Sequence, residues 1–545
     1  MQQRLFNHVK NLLLPSLIFS VITGALSALI VTAFKILAEW AIKLSEHAYT
    51  FVGEHPKFLP VLAISAAALG LISSLVFSLS HTCRGGGIPT SIVAIRCIVG
   101  FKWYLSLCLL PFCALISFVT GLPLGTEGPC VQMGTSVGDG VVRCLGGKKY
   151  KSWRRYSMTG GAAAGFSIVT AAPISSIIFS MEELHRHFSP MLLTTAAVSV
   201  ASAQLTAHGL EALGLGSLGL FHLPEIPVMS LGLIFAPIII GLVTGVASIL
   251  FTRLYHISDK FISAVLKKVS VRIIFPVLFT ATALIGFFLK DSLGSGHSLI
   301  ESLLCGRGTV YLLIIALLIR AVGMCVYNTA GTTGGVFLPT LAFGAILGSL
   351  CAELLIALGW IGAEHHTLMV ILGITSFLGS TTRIPLTACV FAIEVLAGTA
   401  NVVPIILATA VSMITVELSG LEDFTDTIIN AKIRKIKYGK SARVITAPLV
   451  AREGSFIIGK EMRDVLWPNS CFVAAFDRAN KNRKSHSEVG VGDVITVLYK
   501  TYSPEETAEE IFAIVGEQSD DVKSIMLSEE HTAESSSQIA PAKSS

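Results

Sequence analysis

The sequence predicts an all-α polytopic membrane protein with inverted internal repeats and discontinuous helices, followed by a small α/β domain. Three observations carry that expectation. Only 14% of the 545 residues are charged and the mean hydropathy is +0.72, whereas soluble domains carry roughly 25% charge. The last 114 positions hold 32 charged residues and the 431 before them only 43, so the apolar character belongs to the main body and the appendix is soluble. Two stretches of the main body also echo each other. Such a body excludes a soluble enzyme, a nucleic-acid binder and a disordered scaffold.

Long apolar runs occupy residues 12–37, 58–79, 104–120, 191–207, 229–251, 273–289, 311–326 and 402–416. Each has the length to cross a bilayer, some of them tilted. Between them lie pieces interrupted by Gly and Pro, at 88–100, 128–142, 160–172, 173–184, 336–355 and 385–396. A helix that stops within the membrane must hide its end in protein or in a water-filled cavity, so these interruptions point to a substrate pathway. The first run is too long for a signal-peptide core and is kept in the mature chain. Cysteines such as Cys108, Cys113, Cys325 and Cys389 fall inside apolar runs, without disulfide or zinc spacing, and read as small hydrophobes.

Charge placement sets the orientation. Residues 148–155, 253–272 and 432–443 are basic, as are Arg4 and Lys10, whereas the loops near Glu46, Glu54, Glu211 and Glu225 are not. The positive-inside rule makes the basic segments and both termini cytoplasmic.

The repeat is legible at fixed offsets. Pro173-Ile174-Ser175 leads to Phe179 and Glu182 just as Pro385-Leu386-Thr387 leads to Phe391 and Glu394. Upstream, Pro129, Gly134 and Gly138 recur as Pro339, Gly344 and Gly348. Repeats of this kind enclose a site near the bilayer midplane, built from broken helices.

Three Gly/Pro clusters open such helices: Gly85-Gly86-Gly87-Ile88-Pro89, Gly125-Thr126-Glu127-Gly128-Pro129 and Gly334-Gly335-Val336-Phe337-Leu338-Pro339. Glycine lets backbone approach a ligand, and a helix start offers unpaired N–H groups with partial positive charge. One such end supplies only about 0.3 to 2 kcal/mol. Several together make a seat for a small anion. Glu127 stands at one of these starts, where its carboxylate would compete with the anion when ionised and vacate the seat when protonated. The expectation is that Glu127 and Phe337 lie at one point.

Glu182 and Glu183 end an apolar helix ahead of His185-Arg186-His187. Alternate helical positions are about 200° apart, so the two imidazoles do not share a face and read as a solvated basic end. One of the glutamates is a candidate internal proton acceptor, with pairing to Arg186 as the alternative. Glu394, Arg320 and Arg383 read as structural. His365-His366, after Glu364, are expected to face solvent. There is no H-E-x-x-H, no phosphate-binding loop and no G-x-S-x-G, so neither an enzyme nor a metal or cofactor is expected.

At these clusters the sequence resembles the chloride channel and proton/chloride exchanger (CLC) family over residues 10–437, through several ordered motifs. Gly85 to Pro89, Gly125 to Pro129 and Gly335 to Pro339 resemble the family's G-S-G-I-P, G-[KR]-E-G-P and G-x-F-x-P motifs, and the helix through Glu183 resembles the one bearing its internal proton glutamate. The resemblance implies a homodimer with one pore per subunit. Glu127 would be the gating and external proton glutamate and Glu183 the internal one, with Gly86, Thr126, Gly128, Val336, Phe337, Leu338 and Phe424 around the anion. Chloride and protons would be the transported species in the plasma membrane, in contact with lipid and without nucleic acid.

Three positions depart from the family. Gly86 stands at the family's Ser, Phe424 at its Tyr and Thr126 at its basic residue. Loss of both hydroxyls leads to the expectation of weak central anion binding, since a hydrogen bond to an ion is typically worth about 1.5 to 3 kcal/mol. Retention of Glu127 and Glu183 favours an exchanger over a passive voltage- or pH-gated channel, and chloride over fluoride. A non-transporting sensor or scaffold is the remaining alternative.

The main body is assigned to residues 1–437, a regulatory domain to 440–517 and a disordered tail to 518–545. Strands are expected at 443–449, 471–478 and 493–501, with helices at 459–466 and 504–515. Ser455 to Lys460, with Gly492-Asp493, resembles the C-terminal (RCK C) module of TrkA-type potassium-uptake regulators. That implies a dimeric regulatory domain with an unidentified small-molecule ligand; plain dimerisation is the alternative.

Overall fold

A backbone amide in hydrocarbon has no water to bond, so a chain this apolar resolves into helices. The structure, a computed structural model, describes residues 14–436 and 443–516 apart from 99, 217–218, 222, 225, 307, 397, 463–464, 469–470, 480–487 and 502–503. The tail at 518–545 lies outside the described residues.

The first half contains α1 (Leu14–Glu54), α2 (Leu59–Leu79), α3 (Gly87–Ile95), α4 (Trp103–Val119), α5 (Glu127–Val141), α6 (Arg154–Thr170), α7 (Pro173–Phe179) and α8 (Pro190–Ala212). The second contains α9 (Phe235–Lys268), α10 (Val271–Phe288), α11 (His297–Cys305), α12 (Val310–Ala330), α13 (Phe337–Ala357), α14 (His366–Thr382), α15 (Pro385–Val395), α16 (Val402–Glu417) and α17 (Phe424–Ile436). Among the described residues, eight helical stretches are long and apolar enough to cross a membrane. The apolar runs become helices, and the interrupted pieces become α3, α5, α6, α7, α13 and α15. The sequence reading omits α11, α14 and α17; the inward-facing α14 mixes Ser, Thr and Gly into its apolar residues, which weakens a hydropathy signal.

The repeat exists in space as well as in sequence. A Cβ added to Gly134 on α5 would come within 1.9 Å of Gly161 O on α6, and one added to Gly344 on α13 within 2.5 Å of Gly373 O on α14. Each half thus packs backbone against backbone, the close approach small residues permit in membranes. The halves also cap one another. Glu182 accepts from the N–H groups of Leu386 (3.0 Å) and Thr387 (2.7 Å) at the start of α15. Glu394 accepts from those of Ile174 (2.8 Å) and Ser175 (2.7 Å) at the start of α7. Both helices begin with Pro, which has no N–H, so the carboxylates take the next free donors.

Some polar side chains differ from expectation, whereas Arg320 and Arg383 are held within the bundle as expected of structural residues. His365 and His366 are buried rather than solvent-facing, and His366 Nε2 bonds Ser349 Oγ at 3.0 Å. His185 is held by Thr159 at 2.7 Å rather than free in solvent. Arg186 pairs with Asp423 and, at 2.6 Å, with Asp426. Arg383 pairs with Glu417, and Arg320 donates to the carbonyls of Leu293 and Gly294.

The second compact unit is formed by the described residues of 443–516 together with those of 96–100 and 146–153. Its antiparallel sheet, in order β1-β3-β2, is formed by β1 (Arg443–Val450), β2 (Cys471–Asp477) and β3 (Val494–Thr501), beside α18 (Pro504–Val515). Apolar residues of β1 and β3 alternate inward onto Ile511, Ile514 and Val515. No α-helix is found in the described part of 459–466, where Gly459 turns at φ 76°, Glu461 forms a backbone bridge with Glu488 and Met462 is in 3-10 conformation. This turn buries Lys460. Its Nζ lies over the Phe456 ring and 5.6 Å from that of Trp153, with no hydrogen-bond acceptor among the described residues.

Burial pushes the Lys460 amine down from 10.5 to about 6. The folded unit favours the neutral amine, so the cost of burial is absent above the unfolded value, grows as pH falls and is complete below about 6. Lys460→Met is expected to slow hydrogen exchange of β3 in the full-length protein. The gain should be larger at pH 6 than at pH 8 by about 2 kcal/mol.

Candidate functional site

The three Gly/Pro clusters meet backbone to backbone. Gly125 N–H donates to Gly335 O at 2.7 Å and Gly335 N–H to Gly125 O at 2.6 Å, joining the halves where α5 and α13 begin. A Cβ on Gly87 would lie 1.8 Å from Gly128 O, and one on Gly128 would lie 2.7 Å from Gly335 Cα. No side chain fits at these contacts, so the N-terminal ends of α3, α5 and α13 converge. Helix starts so arranged concentrate unpaired N–H groups and positive potential in one buried place.

Glu127 occupies that place. It is 1% exposed, and its Oε2 accepts from Leu338 N–H of the other half at 3.4 Å. Gly125 leaves room for it, since a Cβ there would fall 2.3 Å from the same carboxylate oxygen. Gly86, Gly128, Val336, Phe337 and Leu338 are buried and Thr126 is half-buried. Phe337 packs edge-on to Phe166 of the first half at 5.0 Å and to Phe391 of the second at 5.7 Å. Glu183 is on the π-helical segment Ser180–His185 that continues α7, 3% exposed.

Phe424 is 1% exposed and joins an aromatic cluster with Phe251 at 5.0 Å and Tyr255 at 5.1 Å. Its ring supplies no donor. Two polar groups that the sequence reading passed over adjoin this cluster. Tyr255 Oη donates to Asn328 Oδ1 at 3.0 Å, and Asn328 Nδ2 lies 3.5 Å from where a Gly86 Cβ would stand. The available signal was the expense of an amide inside an apolar helix, which marks such residues as functional candidates.

Discontinuous helices meeting by their N-termini inside a bundle of spanning helices define a membrane transport protein whose site suits a small anion. A family model described as voltage gated chloride channel matches residues 69–417, and the chain belongs to that family. The H(+)/Cl(-) exchange transporter ClcA of Vibrio vulnificus (strain YJ016) is 26% identical over 430 residues, 77% of this chain and 90% of that protein. The ClcA of Salmonella paratyphi B (strain ATCC BAA-1250 / SPB7) is 25% identical over 445 residues, covering 80% and 92%. Among solved structures, a slow cyanobacterial Cl-/H+ antiporter superposes with a TM-score of 0.69 at 18% identity, over 77% of this chain and 98% of that one. A CLC-type fluoride/proton antiporter gives 0.59 at 20% identity, covering 74% and 95%. These last two likenesses establish the fold.

Gly87→Ala should leave membrane insertion intact and lower anion flux by at least about tenfold, because the added methyl separates two helix starts by more than an ångström. Ion efflux from liposomes, with a monodispersity control, checks this.

Proposed function

We propose that the chain is a proton-coupled chloride exchanger of the plasma membrane, with cytoplasmic termini and a homodimeric assembly. The observation that carries the reading is the seat of the Glu127 carboxylate on the Leu338 amide of the opposite repeat. An ionised Glu127 fills the positive end of α13 as an anion would. Protonation removes its charge, weakens its hold on the amides and leaves them to chloride. One seat therefore alternates between a carboxylate and a halide, and the proton and chloride exchange through that competition.

Gly86, Thr126, Gly128, Val336, Phe337, Leu338 and Phe424 would surround the anion, the amides of the helix starts providing its donors. Glu183, buried at the π-helical end of α7, would pass the proton to the cytoplasmic side. Similarity to the H(+)/Cl(-) exchange transporters ClcA and the presence of both glutamates support exchange over passive conduction. Basic loops support the orientation, and family resemblance supports the dimer. The C-terminal unit would be a TrkA-C-like regulatory domain responding to a small molecule.

Liposomes with chloride efflux and proton uptake recorded together test the mechanism. Glu127→Gln should make chloride flux independent of pH and stop coupled proton movement. Glu183→Gln should abolish proton uptake while chloride still passes. Unchanged proton uptake in Glu183→Gln removes the relay, and a wild-type reversal potential set by the chloride gradient alone removes exchange.

A further inference from the structure

Gly86 differs from the other site glycines in one respect. Gly87, Gly128 and Gly335 are imposed by packing, each with backbone within 3.0 Å of any added Cβ. At Gly86 an added Cβ meets Asn328 Nδ2, Gly334 O and Pro89 Cδ, all at 3.5 Å, which is ordinary contact. A side chain fits here and none is present. Facing that space is an amide whose nitrogen has no hydrogen-bond acceptor among the described residues, on a residue only 6% exposed.

We propose that Asn328 donates its side-chain N–H to the transported anion beside Gly86, in place of a hydroxyl from residue 86, and that Tyr255 holds the amide in that orientation. The assignment rests on the reading of the converging helix starts as an anion site. A buried amide nitrogen without an acceptor is costly, and an anion is the partner that a pure donor satisfies. Orientation is fixed from the far side. Tyr255 Oη donates to Asn328 Oδ1 at 3.0 Å, which turns the nitrogen toward Gly86. The edge-on contact of Tyr255 with Phe424, at 5.1 Å, holds the phenol in turn. Phe424 is therefore part of the support for a donor it does not itself provide. Asn328 is in the last turn of α12, three residues before Gly331 turns the chain at φ 95° toward Gly335, so the amide is attached close to the helix starts.

The test is chloride binding to the purified full-length protein by titration calorimetry, with flux in liposomes. Asn328→Leu, close in size, should weaken chloride binding by about tenfold or more. Adding Gly86→Ser to that variant should restore much of the affinity, which a merely structural role for Asn328 does not predict. Asn328→Asp keeps the shape and the bond from Tyr255, removes the donor, and should bind chloride at least as poorly; it replaces Asn328→Leu if that variant misfolds. Tyr255→Phe should change the chloride-to-nitrate affinity ratio. Wild-type affinity in a folded Asn328→Leu or Asn328→Asp protein overturns the assignment alone, as does loss of affinity that Gly86→Ser fails to rescue. A wild-type protein that neither binds nor moves anions overturns the anion-site reading with it.

Discussion

An amide left unpaired within a hydrocarbon layer is costly enough to decide where a helix of this chain can stop. The pairing of Gly125 with Gly335 solves that problem for both repeats at once, because each glycine gives and receives one backbone bond. The solution demands that no side chain intervene. Gly87 and Gly128 extend the same condition to α3 and α5, so bare backbone fills the middle of the main body. The remaining N–H groups of the helix starts are what the site has to offer.

Charge decides how that offer is taken up. A carboxylate on a flexible stem is carried into the cluster by Glu127, while the carboxylates of Glu182 and Glu394 are committed to the starts of α15 and α7. Acids and helix ends are thus used in two ways within one fold. At the periphery, two or more short bonds to each cap hold the halves together. At the centre, Glu127 meets the opposite half through a longer bond, 3.4 Å from the Leu338 amide.

Much of this was legible because its causes are local. A glycine needed for backbone contact, or a proline at a helix start, marks the sequence wherever it occurs, and its recurrence at matching offsets exposed the repeat. Glu127 stood out as an acid among such residues. Properties that arise only in the packed state were not legible. His365 and His366 sit in a polar stretch, yet packing buries both and a neighbouring helix supplies Ser349 to His366. Lys460 sits in a stretch that reads as the start of a helix and is buried instead against two rings. Asn328 has no periodic partner, and only the void beside Gly86 gives it meaning.

Reciprocal capping ties the two repeats together in time as well as in space. Glu394 follows Ile174 by 220 residues, so the first amides of α7 wait for their acceptor until nearly the whole main body has been synthesised. At common elongation rates that delay is roughly 10 to 40 s. During it, the nascent first half exposes a bare helix start and an uncommitted carboxylate to the insertion machinery. A chain ending between α8 and α15 would therefore carry the start of α7 without the carboxylate that caps it and Glu182 without the amides it serves.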